Sequence, residues 1–291
     1  MRMPALAVVF AAAAVVPIGL RAAAHTQHLF VRVVDENGRA VRTLSAADFK
    51  VTSGSRRFEV ARAALAADLR HRVALLVDNG FMAGASVGPM RAALDGLVAA
   101  IPPADDLVLG TLSPQFRVRV KPTARRDELS TAIGMLFTAQ TSGTALIDGI
   151  VEIDDRFVKN VPDRLPVFVI ITSDSPETSG VQIEEFNRRV KDLVRRGAVV
   201  YAVVVAAGAE GRGNEQELCL SLTRSTGGTY DPIATATALP DRLRLIAGRI
   251  ANATARAADE YLVEFTAPDD VAPIDVGVGM SGVSVHASFT P

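Results

Sequence analysis

The stretch RVALLVDNGFM, Arg72 to Met82, decides the fold. Within it Val73, Ala74, Leu75, Leu76 and Val77 form an unbroken apolar run, the pattern of a strand covered on both faces, as in a parallel sheet between helical layers. Asp78 ends the run, and Asn79-Gly80 behind it is a dipeptide suited to a turn. Ligands of open α/β sheets bind just beyond the carboxyl ends of the strands. Asp78 is therefore the first candidate functional residue, with Asn79 beside it.

Outward from this stretch the same pattern repeats. Residues 167–172 are a second apolar run that leads directly into Asp174, and residues 198–206 are a third. Between these runs apolar residues recur at helical spacing: Met90, Leu94, Leu97 and Ile101; Leu146, Ile150, Ile153 and Phe157; Phe186, Val190 and Leu193. Helices are also expected over 127–137, 215–226 and around Leu239, Leu243, Ile246 and Ile250. Residues 107–112 and 116–120 read as a strand pair. Strands alternating with helices predict a mostly parallel sheet with helical crossovers.

The flanks are different. Residues 29–34 are β-prone and end at Asp35-Glu36-Asn37-Gly38, with Ala40-Val41 resuming beyond, which predicts a hairpin. Ser45 to Asp48 reads as one helical turn, and 49–52 and 58–61 as short strands. Residues 260–266, 274–278 and 283–289 return to β character at the other end. Neither flank has enough apolar surface to hold a core alone, so the two are expected to pack together as one small β unit.

Composition narrows the function classes. With 31 basic against 32 acidic residues there is no global field to draw nucleic acid or an anionic membrane. No tryptophan and three tyrosines leave few stacking platforms for bases. Residues 5–20 are an apolar run behind Arg2, followed by the small triplet Ala22-Ala23-Ala24. This predicts a signal peptide over residues 1–24, cleaved before His25, and a secreted or periplasmic chain with no membrane span after signal removal. An uncleaved anchor helix is the alternative reading. Cys219, the only cysteine, cannot form an internal disulfide and reads as a small buried hydrophobe in a helix.

Three residues at strand or helix ends carry chemistry in common. Asp78, Thr144 at the start of its helix, and Asp174 offer two carboxylates and a hydroxyl, hard oxygen donors suited to magnesium or calcium. Here the sequence resembles the von Willebrand factor type A domain and its metal-ion-dependent adhesion site. That family's first motif is Asp-x-Ser-x-Ser, its second supplies a Thr, and its third is an Asp after a buried strand. Asp78, Thr144 in Gly143-Thr144-Ala145-Leu146, and Asp174 in Ser173-Asp174-Ser175 match those positions.

The resemblance covers roughly residues 68 to 256 and implies an α/β fold with a Rossmann-like, doubly wound, mostly parallel sheet flanked by helices. More closely, the chain is similar to secreted bacterial proteins in which this domain sits between β segments, here 25–66 and 257–291. Val33-Val34-Asp35-Glu36-Asn37-Gly38-Arg39, Thr226-Gly227-Gly228-Thr229-Tyr230 and residues 260–265 carry that likeness.

Gly80 and Met82 stand where the family has two serines, so two oxygen ligands are missing. A thioether is a poor ligand for a hard cation. The expectation is weakly bound magnesium or no cofactor. Ser86 is expected to cap the helix that follows, and Thr144 is also a candidate cap. The resemblance implies a secreted binding or adhesion-type module that engages a protein or other extracellular ligand through Asp78, Asn79, Thr144 and Asp174 at the strand ends. The alternative is a hydrolytic enzyme that uses Asp78 and Asp174 as an acid/base or metal-assisted pair, although no nucleophile motif accompanies them.

Overall fold

The structure, a computed structural model, describes residues 24–80, 86–139, 143–161, 163–205, 214–268 and 273–290. The expected leader over residues 1–23, Met82, and the 208–213 loop lie outside the described residues. In chain order the strands and helices are β1 (Ala24–Asp35), β2 (Phe49–Ser53), β3 (Arg56–Phe58), β4 (Val60–Leu65), β5 (Arg70–Val77), α1 (Val87–Ala100), β6 (Asp106–Thr111), β7 (Arg117–Thr123), α2 (Arg126–Gly134) and α3 (Leu146–Ile153). There follow β8 (Arg164–Ser173), α4 (Ile183–Arg195), β9 (Val199–Val205), α5 (Glu215–Thr226), β10 (Tyr230–Ile233), α6 (Leu239–Ala257), β11 (Glu260–Pro268), β12 (Asp275–Val278) and β13 (Val283–Ser288).

The central sheet has six strands in the order β10-β9-β8-β5-β6-β7, parallel except for β7. Both faces are covered, which is why its strands are apolar without interruption. Val73, Leu75 and Val77 of β5 face a layer with Met90, Leu94 and Leu97 of α1 and Leu243, Ile246 and Ile250 of α6. Ala74 and Leu76 face the other layer, with Leu146 and Ile150 of α3, Phe186 of α4 and Leu222 of α5. The chain leaves β5 toward β6 on one side and leaves β8 toward β9 on the other. The topological switch therefore lies between β5 and β8, at whose carboxyl ends Asp78 and Asp174 sit.

The flanking β segments form two further sheets, β13-β1-β11-β4 and β12-β2-β3. Leu29, Val31 and Val33 of β1 pack in the space between these sheets with Phe49, Val51, Phe58, Val263 and Phe265. Tyr261 joins them in edge contact with Phe49, ring centroids 5.2 Å apart, while its hydroxyl accepts a hydrogen bond from the Leu44 amide at 2.9 Å. Phe30, on the opposite face of β1, packs with Ala66, Leu165 and Ala257 and so couples the β unit to the α/β core. Among the described residues no helix is long and apolar enough to cross a membrane.

Three local expectations change. The hairpin after residue 34 shrinks to a single bridge between Val34 and Ala40, because β11 and β13 already occupy the two edges of β1. Residues 58–61 do not form one strand: β3 ends at Phe58 in one sheet, β4 begins at Val60 in the other, and Glu59 makes the crossing. β10 is an added edge strand that carries no long apolar run, and its parallel pairing with β9 makes it a strand.

Deleting residues 260–291 removes both neighbours of β1 at once. Hydrogen exchange should then show the amides of Leu29 to Val34 losing protection together; unchanged protection would mean that β1 is held by the α/β core alone.

Candidate functional site

Asp78 is fully buried at the switch point. Its backbone amide donates to Ile171 at 2.8 Å and extends the sheet by one rung. Its carboxylate is enclosed: Oδ1 accepts from the Ser113 hydroxyl at 2.7 Å and the Gly80 amide at 2.8 Å, and Oδ2 accepts from the Ser173 hydroxyl at 2.8 Å and, more weakly, the Ser173 amide at 3.4 Å. A buried carboxylate is stable only with such donors. Asn79, also buried, accepts from the Ser113 amide at 3.2 Å and donates to the Phe137 carbonyl at 3.1 Å. It thereby ties the segments after β6 and after α2 to the end of β5.

Thr144 is held by its backbone rather than its side chain. Its amide donates to Pro176 at 3.0 Å and its carbonyl accepts from the Thr178 amide at 2.7 Å, so residues 143–144 run tightly against the segment after β8. Gly143 allows this approach: a Cβ there would lie 2.5 Å from Thr178 Cγ2 and 2.7 Å from the Pro176 carbonyl oxygen. The capping role expected of Thr144 does not hold, since the helix cap is Ala145 and no side chain of the cap itself bonds into α3. Glu177 and Ser179 serve the first turn instead, accepting from the amides of Ile147 at 3.3 Å and Asp148 at 2.8 Å. Ser86 likewise makes no side-chain capping bond to α1, its backbone already being helical.

Three buried oxygens at this end of the sheet have no hydrogen-bond partner among the described residues: Thr144 Oγ1, Asp174 Oδ1 and Glu215 Oε1. Glu215, the first residue of α5, is fully buried, and its other oxygen accepts from the Thr172 hydroxyl. Burial pushes the Glu215 carboxyl up to about 9, and the negative charges of Asp78, Glu177 and Asp174 act in the same direction against the Thr172 hydrogen bond. At neutral pH it is a neutral acid. Sequence reasoning missed Ser113, Ser173 and Glu215. Glu215 is legible in the sequence only as the first residue of an expected helix, and Ser113 after β6 and Ser173 at the end of β8 meet through sheet order.

A divalent cation finds an incomplete shell here. Magnesium needs about six oxygens in near-octahedral array, yet both oxygens of Asp78 accept hydrogen bonds from the protein and Gly80 has no side chain. Thr144 Oγ1 and Asp174 Oδ1 are right in kind but too few. Among the described residues no group of three or more His, Cys, Asp or Glu could hold a metal ion. The described residues do not by themselves complete a site for a tightly held cation. Nor is Asp78 presented to a substrate as one half of an acid/base pair, because its acceptor positions face the protein's own donors.

No protein-family profile matches the sequence, and no curated protein matches it. Solved structures do. A von Willebrand factor type A protein from Catenulispora acidiphila superposes with a TM-score of 0.51 at 11% identity, over 82% of this chain and 52% of that one. The conserved hypothetical protein BatB from Bacteroides thetaiotaomicron gives 0.48 at 14% identity, over 65% of this chain and 99% of that one. Proximal thread matrix protein 1 from the mussel byssus, with zinc occupied MIDAS motif, gives 0.49 at 14% identity, over 71% and 49%. This chain spans about half the length of the Catenulispora protein. The α/β core has the fold of the von Willebrand factor type A domain.

Glu215 makes stability depend on pH with a definite sign. Its folded value of about 9 lies above its ordinary value of 4.5. The contribution is therefore complete below that ordinary value and is lost as pH rises toward 9, at up to ~1.4 kcal/mol per pH unit. Glu215→Gln keeps the neutral form at every pH. The variant should gain melting temperature over wild type increasingly between pH 5 and 9; parallel curves would show that the carboxyl is ionised in the folded protein.

Proposed function

We propose that the chain is an exported binding module and that the face at the carboxyl ends of β5, β6 and β8 takes a protein partner. One observation carries this reading. Phe137 and Met135, beside the buried polar floor, are 60% and 67% exposed, although their segment is anchored. Asn79 holds the Phe137 carbonyl, Arg91 holds that of Leu136, and the Arg119 guanidinium lies 5.3 Å from the Phe137 ring centroid. Large apolar side chains held out to solvent on a fixed backbone lose little entropy when covered, the condition for anchor residues of an interface. The fold resemblance implies the same face, with half-buried Asp174 as its polar part and buried Thr144 beneath it. Export follows from the apolar run over residues 5–20 and the triplet behind it.

Capture from the secreted fraction of the native culture tests the proposal, with N-terminal sequencing of the chain itself expected to read from His25. Wild type should retain a protein partner in the presence of EDTA, and Met135→Ala with Phe137→Ala should lose it, at a cost of about 2 kcal/mol or more in affinity. Undiminished capture by that double variant would remove this face from the interface.

Metal dependence, in this reading, has been weakened through the loss of the two serine hydroxyls. In calorimetric titration wild type should bind magnesium and manganese weakly or not at all, and Gly80→Ser with Met82→Ser should strengthen binding. Tight binding by wild type, or none by the double variant, would contradict the inherited-site geometry.

A further inference from the structure

At the opposite end of the central sheet, where β5, β8 and β9 begin, a cavity of about 250 Å³ opens between the strands and α6. His71, Tyr201, Arg249 and Arg256 line it, and among the described residues that line it none is acidic. The chain as a whole carries a net charge of −1, so this one-signed lining is local and does not reflect a basic surface in general. The distance from Asp78 is about 20 Å along β5, which makes the cavity independent of the strand-end face.

The polar groups of the lining are positioned. The His71 amide donates to Asp105 Oδ1 at 2.8 Å, and its ring Nδ1 lies 3.2 Å from Asp105 Oδ2, with Asp105 fully buried behind it. The Thr254 hydroxyl is 3.0 Å from the same Nδ1 and donates to the Ile250 carbonyl at 3.1 Å. Having spent its proton there, Thr254 accepts from Nδ1. Both neighbours thus place a proton on Nδ1. Arg249 Nη1 donates to Thr229 Oγ1 at 2.6 Å. Arg256 follows two helical turns later on the same face of α6. Burial pushes the Tyr201 hydroxyl up, while Arg249 and Arg256 both pull it down, so the two guanidinium charges reach one buried hydroxyl.

We infer that this cavity binds a small organic anion, its carboxylate or phosphate group held by Arg249 and Arg256 and its body packed against Leu165, Val167 and Ile250. Guanidinium groups match both oxyanions by forked hydrogen bonding. The volume exceeds that of the anionic group alone, and the apolar wall accounts for the remainder.

Calorimetry with glycerol 3-phosphate, benzoate and uncharged glycerol tests this on the whole protein. At least one of the two anions should bind at millimolar concentration or tighter, glycerol should not, and the anion preferred identifies the class. Arg249→Ala with Arg256→Ala, both at exposed positions, should weaken binding by about tenfold or more. Asp174→Ala should leave it unchanged. The inference is overturned if neither anion binds, if glycerol binds equally, or if the double arginine variant binds as wild type does.

Discussion

The structure depends on keeping one carboxylate out of water. Asp78 sits at zero exposure, where an ion without donors costs several kcal/mol. The Ser113 hydroxyl, the Ser173 hydroxyl and the Gly80 amide supply the donors, from the segment after β6, from the end of β8 and from the turn after β5. A single charge therefore draws together the ends of three strands. Asn79 adds the segment after α2, and the approach of Gly143 and Thr144 to Pro176 and Thr178 adds the start of α3.

The same hydrogen bonds set what this region can do. Oxygens committed to internal donors are poor recruits for a cation, while a floor fixed from five directions is a rigid platform for the exposed side chains above it. The buried oxygens of Thr144 and Asp174 and the exposed ring of Phe137 border this same hydrogen-bonded floor. In the proposed binding role, preorganisation of this kind would lower the entropy cost of covering the exposed side chains.

Much of this was readable in the residues, for identifiable reasons. The runs 73–77 and 167–171 are apolar at every position because both faces of the sheet are covered, and an aspartate behind each stands out against that background. Gly143-Thr144 could be placed through a family motif. Ser113, Ser173 and Glu215 could not, since a serine at a loop or an acid at a helix start has a local explanation everywhere. Their meeting is a product of strand order. Non-local pairing also undid the hairpin at Val34: an Asp-Glu-Asn-Gly turn reports local preference, and it says nothing of the two strands from the far end of the chain that claim both edges of β1.

That arrangement bears on how the protein is made. β1 is among the first described segments to leave the ribosome, and its partners β11 and β13 are the last. Throughout the synthesis of the α/β core, β1 has two open edges and an apolar face that still lacks Tyr261, Val263 and Phe265, the condition under which strands pair with other chains. The core has mostly near-neighbour strand connections, and its closure would bring Leu65 and Tyr261 together and shorten the loop that the last strands must close. The sandwich is then the final element to form, and a nascent chain stalled before residue 260 carries its aggregation hazard at its beginning.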